Sequence, residues 1–147
     1  MKMTRILFVC AANKNRSPAA EFIYNQLADG AESAGFSQSK ALEERTVSAL
    51  KKKYGDSPWA KGLEAFLNSF KPRRLDAVNL NHFEEVYAMD KQLLGFLAKQ
   101  CPSASLFPPN GVKDPAAIYP TKTGDPFLDA LNEVEAGVRL MLADKRE

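Results

Sequence analysis

Short apolar runs and helical stripes alternate along the chain. Ile6-Leu7-Phe8-Val9 is an unbroken, β-prone apolar run of the kind that makes a buried strand. From Ala19 to Ala28, the residues Ala20, Ile23 and Leu27 fall on one helical stripe with Phe22 beside it, and Gly30 stands where a helix C′ residue would. Ala31 to Phe36, bounded by Gly30 and Gly35, is assigned as a short second strand. Residues 40–70 read as helix twice over. Leu42, Thr46, Ala49 and Leu50 mark the first piece, and Trp59, Leu63, Phe66, Leu67 and Phe70 the second. Gly55-Asp56-Ser57-Pro58 divides them, with Ser57 as N-cap and Pro58 at the first helical position. Glu84 to Met89 reads as a third strand, and Asp90 caps a helix carrying Leu93, Leu94 and Leu97 that ends near Cys101-Pro102. Ala104 to Phe107 gives a fourth strand, and Pro108-Pro109-Asn110-Gly111 a turn cluster. The last helix has Phe127, Leu131, Val134, Val138 and Met141 at helical spacing, Asp125 as N-cap and Pro126 at N1. Strand and helix repeat in alternation, which argues for an α/β fold: a parallel sheet of about four strands with helices on its faces.

Composition narrows the picture without changing it. At 147 residues, 45% apolar and 26% charged, the chain is read as one ordinary globular domain spanning 1–147. A net charge of +2 is too small to argue for nucleic acid or a membrane as partner. The basic runs Lys51-Lys52-Lys53 and Arg73-Arg74 are read as solvated faces. The amino-terminal apolar run is too short for a signal sequence, and no stretch approaches the ~18 apolar residues of a transmembrane span. Two cysteines, Cys10 and Cys101, make no disulfide framework and suggest a reducing, cytoplasmic setting. Cys101 is read as an inert structural thiol, and the lone His82 as a surface residue.

The chemistry concentrates between the first strand and the first helix, in Cys10-Ala11-Ala12-Asn13-Lys14-Asn15-Arg16-Ser17-Pro18. Pro18 and Glu21 suit a helix opening, so the loop's N–H groups and those of the first helical turn converge on one point. Negative charge is favoured there, either a phosphate or a thiolate. Arg16 can wrap back to the same point, where its planar fork matches two phosphoryl oxygens. The Ser17 hydroxyl can hydrogen-bond the Cys10 sulfur, and Asn13 tolerates the left-handed backbone that would hold the loop open. The residues expected to bind phosphate are therefore Ala11, Ala12, Asn13, Lys14, Asn15, Arg16 and Ser17.

The segment from Phe8 to Glu21 resembles the characteristic loop of the low-molecular-weight protein tyrosine phosphatases. Ser33-Ala34-Gly35 resembles that family's second strand, Val86-Tyr87-Ala88-Met89-Asp90 its third, and Val112-Lys113-Asp114-Pro115 its acid loop. The likeness lapses over about residues 37–75, an atypical helical region. The family usually has Gly where Ala12 stands and commonly a second Cys where Asn15 stands. The resemblance implies an open sheet in the order 2-1-3-4 with the phosphate loop after strand 1. It also implies hydrolysis of a phosphotyrosine or small aryl phosphate through a cysteinyl-phosphate intermediate, with no metal or other cofactor. Cys10 would be the nucleophile and Arg16 the phosphate clamp. For the general acid, Asp114 follows the fourth strand at the sheet's carboxyl edge, where open α/β sheets bind ligands, whereas capping accounts for Asp125. Asp114 is the expected acid. In the family, aromatics walling the pocket come from the region of Tyr54 and Trp59; here packing between helices is the favoured role for both. Ala116-Ala117 follow Pro115 where the family often has aromatics, and the first aromatic is Tyr119. Two alternatives stand beside hydrolysis: an arsenate reductase that uses an external thiol, and an inactive module that binds phosphate or phosphoproteins.

Overall fold

The computed structural model describes residues 5–116 and 121–145. Strand β1 (Ile6–Cys10) is buried along its whole length, as its unbroken apolar run requires of a central strand. Helix α1 (Arg16–Leu27) follows and returns the chain to β2 (Ala31–Gly35). Next come α2 (Glu44–Tyr54), α3 (Ala60–Ser69) and single 3₁₀ turns at Leu75–Ala77 and Leu80–His82. Strand β3 (Glu85–Ala88), α4 (Lys91–Leu97), β4 (Ser105–Leu106) and α5 (Pro126–Lys145) complete the chain.

All strand pairs are parallel and the order is β2-β1-β3-β4. The chain steps one way from β1 to β2 and the other way from β3 to β4. Right-handed crossovers therefore put α1 and α4 on opposite faces. Phe8, at the middle of β1, has Tyr24, Tyr87 and Phe107 around its ring at 5.8–6.1 Å between centroids. Helix α5 buries Phe127, Leu131, Val134, Val138 and Met141, the stripe that the sequence spacing predicts, and packs on α1 and α2. Its N-cap is as expected, the Phe127 N–H donating to Asp125 Oδ1 at 2.9 Å.

Several boundaries differ from the expectation. Helix α1 starts at Arg16 and ends at Leu27, so Gly30 lies past the C-cap, Ala28. Its φ of +100° turns the chain into β2. Regular helix in α3 begins at Ala60, but Ser57 Oγ does accept the Trp59 N–H at 3.1 Å, one turn earlier. Strand β4 has only two residues, too few for an apolar pattern to fix its limits.

The region between β2 and β3 covers what would otherwise be the open edge of β2. A parallel bridge joins Gly35 to Arg74, and the Gly35 N–H donates to Arg73 O at 3.0 Å. Arg73 is thus not the solvated cation its sequence context suggests. Its Nε donates to Ser33 O and its guanidinium pairs with Glu32 at 2.7 Å. Arg74, paired with Asp76 at the surface, does fit that description. Lys51, Lys52 and Lys53 occupy the last turn of α2, where the helix dipole favours cations.

Candidate active site

Cys10 is the last residue of β1 and Arg16 the first of α1, so the intervening loop lies at the carboxyl edge of the sheet between strand and helix. Neighbouring backbone takes up the loop's carbonyls. Those of Cys10, Ala11, Ala12 and Lys14 accept the N–H groups of Phe36, Ser37, Ser39 and Glu43 at 3.2, 2.8, 3.1 and 2.9 Å. With the carbonyls engaged on that side, the N–H groups of Ala11 to Asn15 and of Ser17 find no acceptor among the described residues. An array of unpaired amides at a helix amino end is an anion-binding arrangement.

Asn13 has φ of +55°, and it alone among the described non-glycine residues is left-handed. Its side chain is fully buried behind the loop. Nδ2 donates to Ser17 Oγ (3.1 Å) and Ser33 Oγ (2.9 Å), and Oδ1 accepts the Arg73 N–H (2.9 Å). Ser17 Oγ in turn lies 2.8 Å from Cys10 Sγ. Asn13 and Ser17 thus hold the loop from behind, and their side chains do not line the cleft. Ala12 has no positive φ, so the methyl group there meets no backbone penalty. Asn15 caps α1 by accepting the Arg16 N–H at 2.5 Å.

Arg16 is nearly fully buried. Its Nη1 donates to Asp90 Oδ2 at 2.8 Å and to Val112 O at 2.9 Å, while its Nε is buried without a partner among the described residues. A buried guanidinium N–H with no acceptor is costly unless a ligand supplies one. Asp90 has a second task, its Oδ1 accepting the Leu93 N–H to cap α4 at 2.8 Å. Sequence reading finds the cap but not the pairing with Arg16, which links residues 74 positions apart.

A cleft of about 110 Å³ opens over the loop. Cys10, Ala11, Ala12, Lys14, Asn15, Arg16, Asp114 and Ala116 line it. Asp114 is exposed, its Oδ1 accepting the Ala116 N–H at 3.0 Å, while Asp125 serves the α5 cap and is not among the lining residues. Lys14 is loosely paired with Glu43, at 3.8 Å. Tyr54 and Trp59 lie elsewhere, against each other (4.9 Å between centroids) and against Phe22 of α1, with the Tyr54 O–H donating to Glu135 at 2.6 Å. Tyr119 falls outside the described residues. Cys101 follows α4, at the end of the sheet opposite Cys10, and no helix among the described residues is long and apolar enough to cross a membrane.

The profile of the family described as low molecular weight phosphotyrosine protein phosphatase matches residues 5–106. The chain belongs to that family. Its activity class is accordingly that of a phosphatase. Among curated proteins no sequence matches. Solved structures share the fold at low identity. A low molecular weight protein tyrosine phosphatase from T. tengcongensis is 23% identical, with a TM-score of 0.75 over 97% of this chain and 99% of that one. Vibrio vulnificus Wzb, in complex with benzylphosphonate, is 16% identical, with a TM-score of 0.76 over 97% and 99%. YwlE, an arginine phosphatase solved as a cysteine-to-serine mutant with its active-site serine phosphorylated, is 20% identical, with a TM-score of 0.77 over 98% and 97%.

Proposed function

We propose that this phosphatase hydrolyses phosphotyrosine or small aryl phosphates by two successive displacements at phosphorus, with no metal. Cys10 Sγ attacks the phosphorus and forms a cysteinyl phosphate. Arg16 and the loop amides hold the three equatorial oxygens, whose charge they stabilise in both transition states. Asp114 protonates the departing phenolate oxygen, then takes a proton from the water that cleaves the sulfur–phosphorus bond. The Ser17 hydroxyl donates to the sulfur as it leaves. The observation that carries this reading is the single cleft shared by Cys10, Asp114 and Arg16, whose buried Nε lacks an acceptor among the described residues.

The benzylphosphonate held by Wzb is an aromatic phosphoryl mimic, and YwlE acts on phosphoarginine, so the fold accommodates both classes. Lys14 favours the first, because its ammonium would lie beside a cationic guanidinium. Cys101, at the opposite end of the sheet, cannot give Cys10 an internal thiol relay, so an arsenate reductase here would depend on an external thiol, and consumption of arsenate in place of aryl phosphate would favour it. We assign the protein to a reducing compartment, the cytoplasm, where both free thiols persist.

The test is hydrolysis of p-nitrophenyl phosphate in chelating buffer at about pH 6, for the native protein beside Cys10→Ser and Asp114→Asn. Cys10→Ser should abolish turnover, and Asp114→Asn should lower it about 100-fold or more. Turnover that survives in Cys10→Ser would overturn the mechanism. Tight phosphate binding without turnover in the native protein would favour the inactive binding module.

A further inference from the structure

The buried hydrogen bonds behind the loop do not end at Asn13. Ser33 Oγ, which accepts from Asn13 Nδ2, donates onward to Glu21 Oε1 at 2.7 Å. A continuous chain therefore runs Glu21–Ser33–Asn13–Ser17–Cys10, across α1, β2 and the loop. We propose that Glu21 is a positioning residue for the nucleophile, fixing through this chain which way the Ser17 hydroxyl points.

The donor directions follow from the partners. Asn13 Oδ1 is committed to the Arg73 N–H, so the Asn13 amide must present both its hydrogens to Ser17 and Ser33. Each serine oxygen accepts one of them and is left with a single O–H to donate. For Ser33 the recipient is Glu21. For Ser17 it is Cys10 Sγ at 2.8 Å, the alternative being Ala34 O at 3.5 Å. If Glu21 is removed, the Ser33 hydroxyl loses its acceptor and turns, Asn13 loses a fixed partner, and the Ser17 hydroxyl is released from the sulfur.

Glu21 plays no part in the displacements proposed above, yet its carboxyl is turned into the protein. Burial pushes it up to about 7, against the opposing pull of the Ser33 hydroxyl and of Arg73, with Glu32 adding to the rise. Arg73, after α3, and Glu32, on β2, are the charged groups that bear on it. At about pH 5.5 the carboxyl is therefore mostly neutral, and a glutamine amide, whose carbonyl can accept from Ser33, reproduces its role.

The inference rests on Cys10 acting as the nucleophile. It is tested by the rate at which iodoacetamide, a neutral reagent, alkylates the Cys10 thiol at about pH 5.5, which reads sulfur reactivity whether or not any phosphate ester is turned over. Cys101→Ser serves as the background, so that a single thiol reports. Glu21→Ala should slow alkylation by about fivefold and lower kcat by about tenfold with KM changed less than about threefold, the scale of one positioning hydrogen bond. Glu21→Gln should restore both. If Glu21→Ala does not fold, Ser33→Ala cuts the chain at the next link and should give the same pattern. Alkylation unchanged in the variant that folds, or Glu21→Gln no better than Glu21→Ala, would overturn the proposal. Normal alkylation effects without phosphatase activity in the native protein would instead sink the proposed reaction and leave the relay standing.

Discussion

Gly35 ends β2 beside the loop from Cys10 to Ser17 and should not tolerate a side chain. Its φ is not positive, so the need for glycine there arises from close approach. A Cβ at this position would lie 2.6 Å from Asn13 N, 2.6 Å from Ser37 O and 2.8 Å from Ala12 C, all of them backbone atoms. Ordinary contact begins at 3.4 Å, so the loop must retreat by about 0.5–1 Å, since no rotamer can relieve a clash between backbone and Cβ. The retreat displaces the amides of Asn13 and its neighbours, which are expected to meet the phosphoryl oxygens. A misplacement of about 1 Å can cost about 100-fold in rate, so Gly35→Ala should lower kcat by about 10- to 100-fold. Overpacking should also cost about 1–3 kcal/mol of stability. The assay is steady-state hydrolysis of p-nitrophenyl phosphate with inhibition by vanadate, beside urea denaturation. Gly95→Ala is the control: nothing lies within 4 Å of its would-be Cβ in α4, and the change should stabilise by about 0.5–1 kcal/mol at native activity. A Gly35→Ala protein with native kcat and native vanadate affinity would refute the reasoning, because the loop would then have moved without consequence or not moved at all.

Asp90→Ala removes both the acidic partner of a buried Arg16 and the cap of α4. kcat/KM should fall at least about 100-fold, with stability lost by about 3 kcal/mol or more and partly regained when phosphate is added to the unfolding assay. Asp125→Ala should cost about 1 kcal/mol in the same denaturation experiment through loss of the α5 cap, with kcat unchanged. Glu21→Gln should change the pH dependence of stability. The native carboxyl titrates at about 7 when folded against an ordinary 4.5, so between those values the folded state binds more protons and native stability falls as pH rises. Glutamine does not titrate, and its advantage should therefore grow from near zero at about pH 4 to at most about 3 kcal/mol at about pH 8; a difference that stays constant over this range would refute the assignment. Glu43 has φ of −59°, close to that of proline. Glu43→Pro, which deletes the N–H bonded to Lys14 O, should therefore lower kcat about tenfold, whereas Glu43→Ala, which keeps that N–H, should retain most of the activity.

Legibility in the sequence tracked how local each determinant is. The stripe from Phe127 to Met141 announces α5 because one helix face carries all the information. The stretch from Cys10 to Ser17 could be read as an anion loop because strand, loop and helix start are contiguous. Tyr54 and Trp59 were legible as packing residues, and they stack on Phe22. Arg73 was not legible. Its importance lies in a backbone N–H that meets a side chain 60 positions away, and nothing in an Arg-Arg pair signals that. The second task of Asp90 was hidden for the opposite reason, because the cap explains the residue completely on local grounds. The links from Glu21 through Ser33 to Asn13 join three elements and have no periodicity to reveal them.

The same division separates the supports of the loop into two kinds. Beside the Ser37 hydroxyl on Ala11 O and the loose pairing of Glu43 with Lys14, the groups that residues 36–43 and Arg73 offer to the loop are backbone N–H donors, those of Phe36, Ser37, Ser39, Glu43 and Arg73. Almost any residue other than proline supplies such a donor if the chain follows the same path. The supports that need a particular side chain are Asn13, Ser17, Glu21, Ser33 and Asp90. Asn13 and Ser17 belong to the loop and the start of α1, Glu21 to α1, Ser33 to β2, and Asp90 caps α4. Side-chain identity is thus left free where the backbone alone does the holding, and is constrained where an oxygen or amide nitrogen must stand at a fixed point behind Cys10 or beside Arg16.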